Sequence, residues 1–314
     1  MDSGKLTKTI IILLSTYNGH KYVSEQIESI LHQDIIADDR YDVRLLVRDD
    51  GSSDNTLEIV SGYSSDIDIS IIKGSNVGPS RSFWELINIA PDADYYAFCD
   101  QDDVWFADKL SRAIEHLEKC DNNIPQLYCS AVQWTDKDLK PIHVTKRKKH
   151  YTDFAHALVY SLSQGCTFVF NYTAIQLARK YDYDREYNEY HDWLMHKIVA
   201  MMGNVFFDEK ATMYYRQHGN NVIGAKSEGI AGIPGRIRRF LSSSEGVRSK
   251  TAASLYSVYN DYLIKNPEKE RYVRLLANYK NSRYERWQFI REKAFRRGIG
   301  SGAVLCILII FKKV

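Results

Sequence analysis

Short apolar runs that stop abruptly in polar clusters constrain this chain more than any other feature. Thr9 to Leu14 reads Thr-Ile-Ile-Ile-Leu-Leu, a continuous β-branched run of the kind that fills a strand buried on both faces. It ends in Ser15-Thr16-Tyr17-Asn18-Gly19, after which Tyr22, Val23, Ile27, Ile30 and Leu31 recur at helical spacing, and Tyr41 to Arg48 predicts a second strand. The pattern then repeats. A helix is expected over Asp54 to Ser61, capped by Asn55 with Glu58 three residues on, then a strand over Ile67 to Ile72 and a helix over Ser80 to Ala90. Tyr95 to Cys99 reads as a further strand and Ala107 to Lys119 as a further helix. Strands alternating with helices imply right-handed crossovers and an α/β fold with an open, mostly parallel sheet flanked by helices. Ligands of such sheets collect at the carboxyl ends of the strands. Ser15 to Gly19, Asp49 to Asp54 and Asp100 to Asp103 each follow a strand directly, so all three are expected to line one crevice.

After residue 125 the alternation loosens. Leu127 to Gln133, Cys166 to Phe170 and Asn204 to Arg216 read as strands, the basic run Lys146-Arg147-Lys148-Lys149 as a loop, and His191 to Met202 as a helix with Trp193, Leu194, Ile198 and Met201 on one face. Beyond Gly235 the pattern is helical and basic. The net charge of +2 over 314 residues hides two opposite parts: residues 1–235 carry 24 Lys and Arg against 34 Asp and Glu, and residues 236–314 carry 18 against 6. This places a boundary at 235, with an acidic domain before it and a basic helical appendage after it. Five cysteines without a CxxC pair, Cys99, Cys120, Cys129, Cys166 and Cys306, fit neither a disulfide framework nor a zinc site and point to a reducing cytoplasm. The polar stretch Met1 to Lys8 followed by a six-residue apolar run does not resemble an export signal.

Asp100-Gln101-Asp102-Asp103 is the strongest chemical signal. Carboxylates one residue apart at a strand end can point toward one hard cation, Mg2+ or Mn2+, which keeps non-protein ligands and so can bridge to phosphate oxygens. The bland alternative, a solvated turn before a helix, is weakened by the buried strand ahead of it and by Asp103 and Trp105 to Leu110 behind it.

Four blocks in order identify a resemblance. Ser15 to Gly19, Arg48-Asp49-Asp50-Gly51-Ser52-Ser53-Asp54-Asn55-Thr56, Asn76-Val77-Gly78, and Phe98-Cys99-Asp100-Gln101-Asp102-Asp103-Val104-Trp105 resemble the motifs of glycosyltransferase family 2, inverting enzymes with a Rossmann-like GT-A fold. With later matches the likeness runs from residue 9 to about 224. It implies a nucleoside-diphosphate sugar donor, of dTDP or UDP type. Ser15, Thr16, Tyr17 and Gln101 would border the nucleotide, and Asp50 would accept from the ring N–H of uracil or thymine. Asp102 would bind the metal, with Asp100 near the ribose or the metal, while Asp49 and Asp54 would serve the turn and the helix start. Asp103, Trp105, Gly165 and Cys166 would border the sugar and acceptor pocket, Cys166 as a packed residue rather than a nucleophile.

Inversion by direct displacement needs a carboxylate to take the acceptor's proton. In Tyr190-His191-Asp192-Trp193, Asp192 matches the family's catalytic position, with His191 in place of the commoner acid and Trp193 beside it. The alternative is a helix-start carboxylate favoured by the macrodipole, with a depressed pKa. Tyr215-Arg216-Gln217-His218 resembles the family's YRxH segment, so Arg216 would pair with phosphate and His218 would ligate the metal or donate to the diphosphate. Finally, Arg283 to Arg297 interleaves six cations with Tyr284, Trp287, Phe289 and Phe295, and Ala303 to Phe311 is nine apolar residues long, too short for the roughly 20 that span a bilayer. This composition suits an anionic membrane surface, or packing on the catalytic domain or a second copy in a homo-oligomer; no nucleic-acid module accompanies it. Together with a weaker likeness to bacterial rhamnosyltransferases, these features lead to the expectation of a cytoplasmic enzyme, peripheral on the inner face of the membrane. It would transfer L-rhamnose from its dTDP form to a lipid-linked glycan in cell-surface polysaccharide synthesis. A UDP-sugar transferase and a non-catalytic nucleotide-sugar scaffold are the alternatives.

Overall fold

The structure, a computed structural model, describes residues 7–145, 151–218 and 246–296, together with Leu305, Cys306, Ile309, Ile310 and Lys312. The basic run 146–149, residues 219–245, Arg297 and most of the apolar run 303–311 lie outside them.

Nine strands form one sheet among the described residues: β1 (Lys8–Thr16), β2 (Tyr41–Asp49), β3 (Asp68–Lys73), β4 (Tyr95–Cys99), β5 (Val104–Trp105), β6 (Gln126–Thr135), β7 (Pro141–Val144), β8 (Val169–Asn171) and β9 (Asn204–Arg216). Their order is β3-β2-β1-β4-β8-β6-β9-β5, with β7 on β6. From β3 to β4 every pairing is parallel. Beyond β4 the sheet is mixed: β8 is antiparallel to β4 and β6, β6 and β9 run parallel, and β5 and β7 are antiparallel to their partners. The parallel part is the part that carries the three polar loops.

Helices α1 (Val23–Leu31), α2 (Thr56–Gly62), α3 (Pro79–Ile89), α4 (Lys109–Glu118) and α6 (Tyr172–Ala178) flank this sheet. Ile10, Ile12 and Leu14 of β1 are completely buried with Val23, Ile27 and Ile30 of α1 and Leu110 and Ile114 of α4 in one cluster, each such side chain stabilising the fold by about 1.5–3 kcal/mol through its removal from water. Phe98 of β4 packs edge-on against Phe83 of α3 and Phe170 of β8.

Two of the differences from the sequence expectation concern how elements start. Asn55 stands at the start of α2 but makes no side-chain cap; Asp54 Oδ1 instead accepts from Thr56 N at 3.0 Å and from the Thr56 hydroxyl. The strand expected from Cys166 starts only at Val169, because Gly165–Thr167 forms a 3-10 turn closed by Thr167 N–H to Gln164 O and Phe168 N–H to Gly165 O at 3.0 and 2.8 Å.

The chain divides into two compact units that interleave, whereas the sequence suggested one boundary at 235. The sheet unit comprises the described residues of Met1–His150, Ser163–Arg179 and Met202–His218. The helical unit takes those of Tyr151–Leu162, Lys180–Met201 and Gly219–Val314. The latter contains α5 (Phe154–Val159), most of α7 (His191–Met202), α8 (Val247–Leu263), α9 (Pro267–Asn278) and α10 (Arg283–Arg291), around a core that includes Leu255, Leu263, Val273, Leu276, Phe289 and Phe295. No helix among the described residues is long and apolar enough to cross a membrane.

Gly203, which leads into β9, is required by close approach: a Cβ there would lie 1.9 Å from Pro125 O, a backbone atom that cannot swing aside. Gly203→Ala should therefore lower stability by about 1–3 kcal/mol, seen as a lower urea midpoint with an unchanged slope; an unchanged midpoint would show that the backbone yields freely.

Candidate active site

Because β1, β2 and β4 are parallel neighbours, the loops after them meet at one edge of the sheet. They are laced together. Thr16 Oγ1 donates to Asp49 Oδ1 at 3.0 Å, Asp49 Oδ2 accepts from Ser52 N at 2.8 Å, and Asn18 Oδ1 accepts from Ser53 N at 2.9 Å. Thr16 and Asp49 are both buried, so they fasten loops rather than face a ligand. Gln101 clamps the backbone of Tyr17, its Oε1 accepting from Tyr17 N at 2.9 Å and its Nε2 donating to Tyr17 O at 3.0 Å, while the Tyr17 residue stays 45% exposed. A Cβ on Gly19 would fall 2.1 Å from Gln101 Oε1, so this clamp needs glycine there.

Asp50, expected to read the base, is 3% exposed and heavily engaged. Its carboxylate pairs with Arg48 and accepts from Val77 N at 2.9 Å and Gly78 N at 2.9 Å, fixing the Asn76-Val77-Gly78 turn in which Gly78 has φ +84°. Arg48 also binds Glu85 at 2.6 Å and reaches Ser82 Oγ at 3.2 Å, and Ser82 Oγ shares a hydrogen bond of 2.6 Å with Ser15 Oγ. Ser15 is thus tied to the same buried network as Asp50.

The acidic run is held from one side by α1. Tyr22, Glu25, Gln26 and Ser29 recur at helical spacing. The Tyr22 ring stacks on His218 with centroids 5.0 Å apart, and the Arg216 guanidinium lies 4.5 Å from the same ring. Glu25 pairs with Arg216. The Gln26 amide, oriented to satisfy its surroundings, donates to Asp103 O at 2.9 Å and Asp100 O at 3.3 Å, and Ser29 Oγ accepts from Trp105 N at 3.0 Å. One turn beyond, Gln33 donates to Phe106 O at 2.8 Å and accepts from Leu110 N at 3.0 Å.

Within this frame Asp102 Oδ2 lies 2.7 Å from His218 Nε2. Asp100, Asp103 and Cys166 form the second group, each offering a ligand atom within 4.8 Å of the others. Asp103 Oδ1 accepts from Arg216 N at 3.0 Å; Oδ2 is buried with no hydrogen-bond donor on it, the Cys166 thiol lying nearby. Burial, reinforced by the charges of Asp102 and Asp100, pushes the Asp103 pKa well above the usual carboxylate range. Burial likewise drives the Cys166 thiol up, so it is no thiolate. Two carboxyl groups, one with an orphaned oxygen, offer a hard divalent cation its preferred oxygen ligands, with the neutral Cys166 thiol beside them.

Arg216 departs from its expected role. Its guanidinium is spent on protein acceptors: Nε donates to Asp102 O at 2.9 Å, one terminal nitrogen donates to Lys137 O at 2.8 Å, and the other pairs with Glu25. At 2% exposure it braces the acidic run. Lys109 escaped the sequence reading. Its ammonium donates to Cys166 O at 2.7 Å and sits 4.5 Å from the Trp105 ring, and burial lowers its pKa to about 8. The available signal was a charge on the otherwise apolar stripe of α4, shared with Leu110, Ala113, Ile114 and Leu117.

Asp192, His191 and Trp193 belong to the helical unit and open α7. Asp192 Oδ1 accepts from Trp193 N at 2.8 Å. Burial, with the Glu189 charge adding, pushes the Asp192 pKa up to about 6 against the Trp193 amide and the Lys197 ammonium. Desolvation therefore overrides the lowering that a helix start alone would give. Glu189 and Lys197 form a buried ion pair, and the Trp193 ring has Lys197 Nζ at 5.3 Å and Arg248 Cζ at 5.1 Å. Both ring nitrogens of His191 are buried, and desolvation lowers its pKa to about 3, leaving it neutral at pH 7.

A half-parallel, helix-flanked sheet with an acidic loop after its fourth strand is the architecture of a GT-A glycosyltransferase. The sequence profile described as Glycosyl transferase family 2 matches residues 11–176, more than half of the chain, and the chain belongs to that family. It is 29% identical over 223 residues to the dTDP-rhamnosyl transferase RfbG of Shigella flexneri, covering 68% of this chain and 74% of that protein. The fold is similar to that of TarS residues 1–349 from S. aureus, with a TM-score of 0.57 at 14% identity over 91% of this chain and 76% of that fragment. It is also similar to the mannosyltransferase PcManGT of Pyrobaculum calidifontis, solved with GDP-Man and Mn2+, with a TM-score of 0.53 at 15% identity over 97% and 80% of the two chains.

The Arg48–Asp50 pair is buried on both sides, with side chains 3% and 4% exposed. Arg48→Met leaves the Asp50 charge without its counter-ion and should cost about 3–5 kcal/mol in urea unfolding at pH 7; a loss below about 1 kcal/mol, as for a surface pair, would contradict that assignment.

Proposed function

We propose that this glycosyltransferase moves L-rhamnose from dTDP-L-rhamnose onto a lipid-linked glycan in cell-surface polysaccharide synthesis, at the cytoplasmic face of the membrane. The observation that carries the donor side is the acidic run, with Asp102 against His218 and Asp100 against Asp103 and Cys166. Support for rhamnose comes from the relative RfbG, whose name gives it a dTDP-rhamnosyl donor. A UDP-activated hexose is the competing donor.

Asp102, with His218 against it, and Asp100, which the structure groups with the Asp103 carboxyl and the Cys166 thiol, would hold Mg2+ or Mn2+. Such an ion, when bound, neutralises the diphosphate as the sugar's bond to it breaks. Tyr17, with its backbone clamped by Gln101, would border the nucleotide, and the buried network of Ser15, Arg48 and Asp50 would keep that wall rigid. In the transfer, the acceptor oxygen bonds to the anomeric carbon while the carbon–oxygen bond to the diphosphate breaks on the opposite face, inverting that centre. The acceptor's proton passes to Asp192, whose raised pKa suits a base working near neutrality. Neutral His191 and Trp193 would line the sugar and acceptor side, with Gly165 and Cys166.

The direct experiment offers dTDP-rhamnose, UDP-glucose and UDP-N-acetylglucosamine with a lipid-linked acceptor and Mn2+, and measures released nucleotide and product mass. Turnover highest with dTDP-rhamnose is expected; a faster UDP-sugar would replace the donor, and no turnover with any donor would favour a nucleotide-sugar scaffold. Asp192→Asn should cut kcat by about 10^2- to 10^4-fold, and the parent's kcat/KM should fall below about pH 6 as the base becomes protonated. A stability readout is independent of turnover. The folded-state pKa lies above the unfolded one, so the residue's contribution is largest below about pH 4 and declines as pH rises to about 6. Asp192→Asn should remove that slope; an unaltered slope would mean the raised pKa belongs elsewhere.

A further inference from the structure

The C-terminal basic region resolves into two sets of aromatic residues. Phe289 and Phe295 are inside, packed edge-on at 4.8 Å, with Tyr279 5.5 Å from Phe289 and Tyr272 5.4 Å from Phe295. Tyr284 and Trp287 are outside, 64% and 51% exposed, stacked on each other with centroids 6.2 Å apart. At 100° per residue Phe289 faces opposite to the arc that carries Tyr284, Trp287 and Arg291. One face of α10 anchors the helix, and the other holds two large aromatic rings in solvent, with the Arg291 guanidinium 4.5 Å from the Trp287 ring.

Charge tells what would cover that face. From Lys280 to Arg296 the chain carries six cations, Lys280, Arg283, Arg286, Arg291, Lys293 and Arg296, against two acids, Glu285 and Glu292. Both acids have partners close by. Glu285 belongs to the cap that starts α10, with Ser282 Oγ accepting from its N–H at 3.0 Å and donating to Oε2 at 3.3 Å, and Glu292 is paired with Arg271 at 2.5 Å. Amphipathic aromatics whose rings sit at headgroup depth, with arginines around them and no unengaged acid, match the chemistry of an anionic bilayer surface.

We propose that the outer face of α10, centred on Tyr284, Trp287 and Arg291, is the surface by which this protein docks on anionic phospholipid. The inference deepens the reading of a lipid-linked acceptor and rests on it for its biological sense, but its test uses neither donor nor acceptor. The full-length protein is sedimented with vesicles of phosphatidylglycerol and phosphatidylcholine, and with vesicles of phosphatidylcholine alone. Sedimentation with the anionic vesicles only is expected, weakening about fivefold for each charge removed in Arg283→Gln and Arg291→Gln. Tyr284→Ala/Trp287→Ala should lose binding at least tenfold, and Trp287→Phe should retain it. Thermal melting serves as the check on folding, and transfer to a water-soluble acceptor should be unchanged in these variants. A parent protein left in the supernatant, or a double alanine variant that binds as well as the parent, would overturn the proposal. Binding that follows the charges but ignores the aromatics would reduce the surface to a diffuse electrostatic contact and overturn the assignment to this face.

Discussion

The acidic run depends on something outside itself for its shape. Between Asp100 and the start of α4 the only regular structure is the two-residue strand β5, yet this stretch carries three carboxyl groups, and burial and the charges of Asp102 and Asp100 hold Asp103 toward its protonated form. A polar row on α1 supplies the missing support. Glu25 holds Arg216, Gln26 holds two carbonyls, Ser29 holds an amide, and the Tyr22 ring packs on both Arg216 and His218. Each neutral hydrogen bond contributes only about 0.5–1.5 kcal/mol net, but together they fix one geometry for groups that must converge. The adjoining face of α1, through Val23, Ile27 and Ile30, is buried in the core with β1, which ties the brace to the sheet.

The same trade recurs deeper in the chain. Arg48–Asp50, Glu189–Lys197 and the solitary ammonium of Lys109 are all buried, and each costs desolvation that well-packed apolar residues would not incur. None is a good device for stability alone. Arg48–Asp50 locks the turn at Gly78, Lys109 ties Cys166 to α4, and Glu189–Lys197 surrounds Asp192 with charge. Within each unit these charges fix local geometry, while burial itself moves the Lys109 and Asp192 pKa values toward neutrality.

Much of the sheet was legible because period and length are local properties. β4 and β9 have the bounds that their apolar patterns predict, and β1 and β2 differ by a residue or two at their ends. The three loops were placed correctly for the same reason, since each directly follows a recognisable strand. Interactions between distant residues were not legible. That Arg216 would meet Glu25, 191 positions away, leaves no trace in either local pattern, so its engagement with protein acceptors could not be read from the sequence. The macrodipole argument for Asp192 considered its own helix and not the burial that reverses the sign. Strand β5, at two residues, is shorter than any periodic signal. A polar row on an otherwise apolar helix, as in Tyr22, Glu25, Gln26 and Ser29, was present in the sequence and could have been read.

The central claim is that this braced acidic run binds a nucleoside diphosphate through a divalent ion. Calorimetric titration of dTDP into the protein, with Mn2+ and then with EDTA, addresses it most directly. Binding that requires Mn2+, and that Asp102→Asn abolishes while leaving the unfolding midpoint intact, is the predicted result. Equal affinity in EDTA, or an Asp102→Asn variant that binds like the parent, would contradict it.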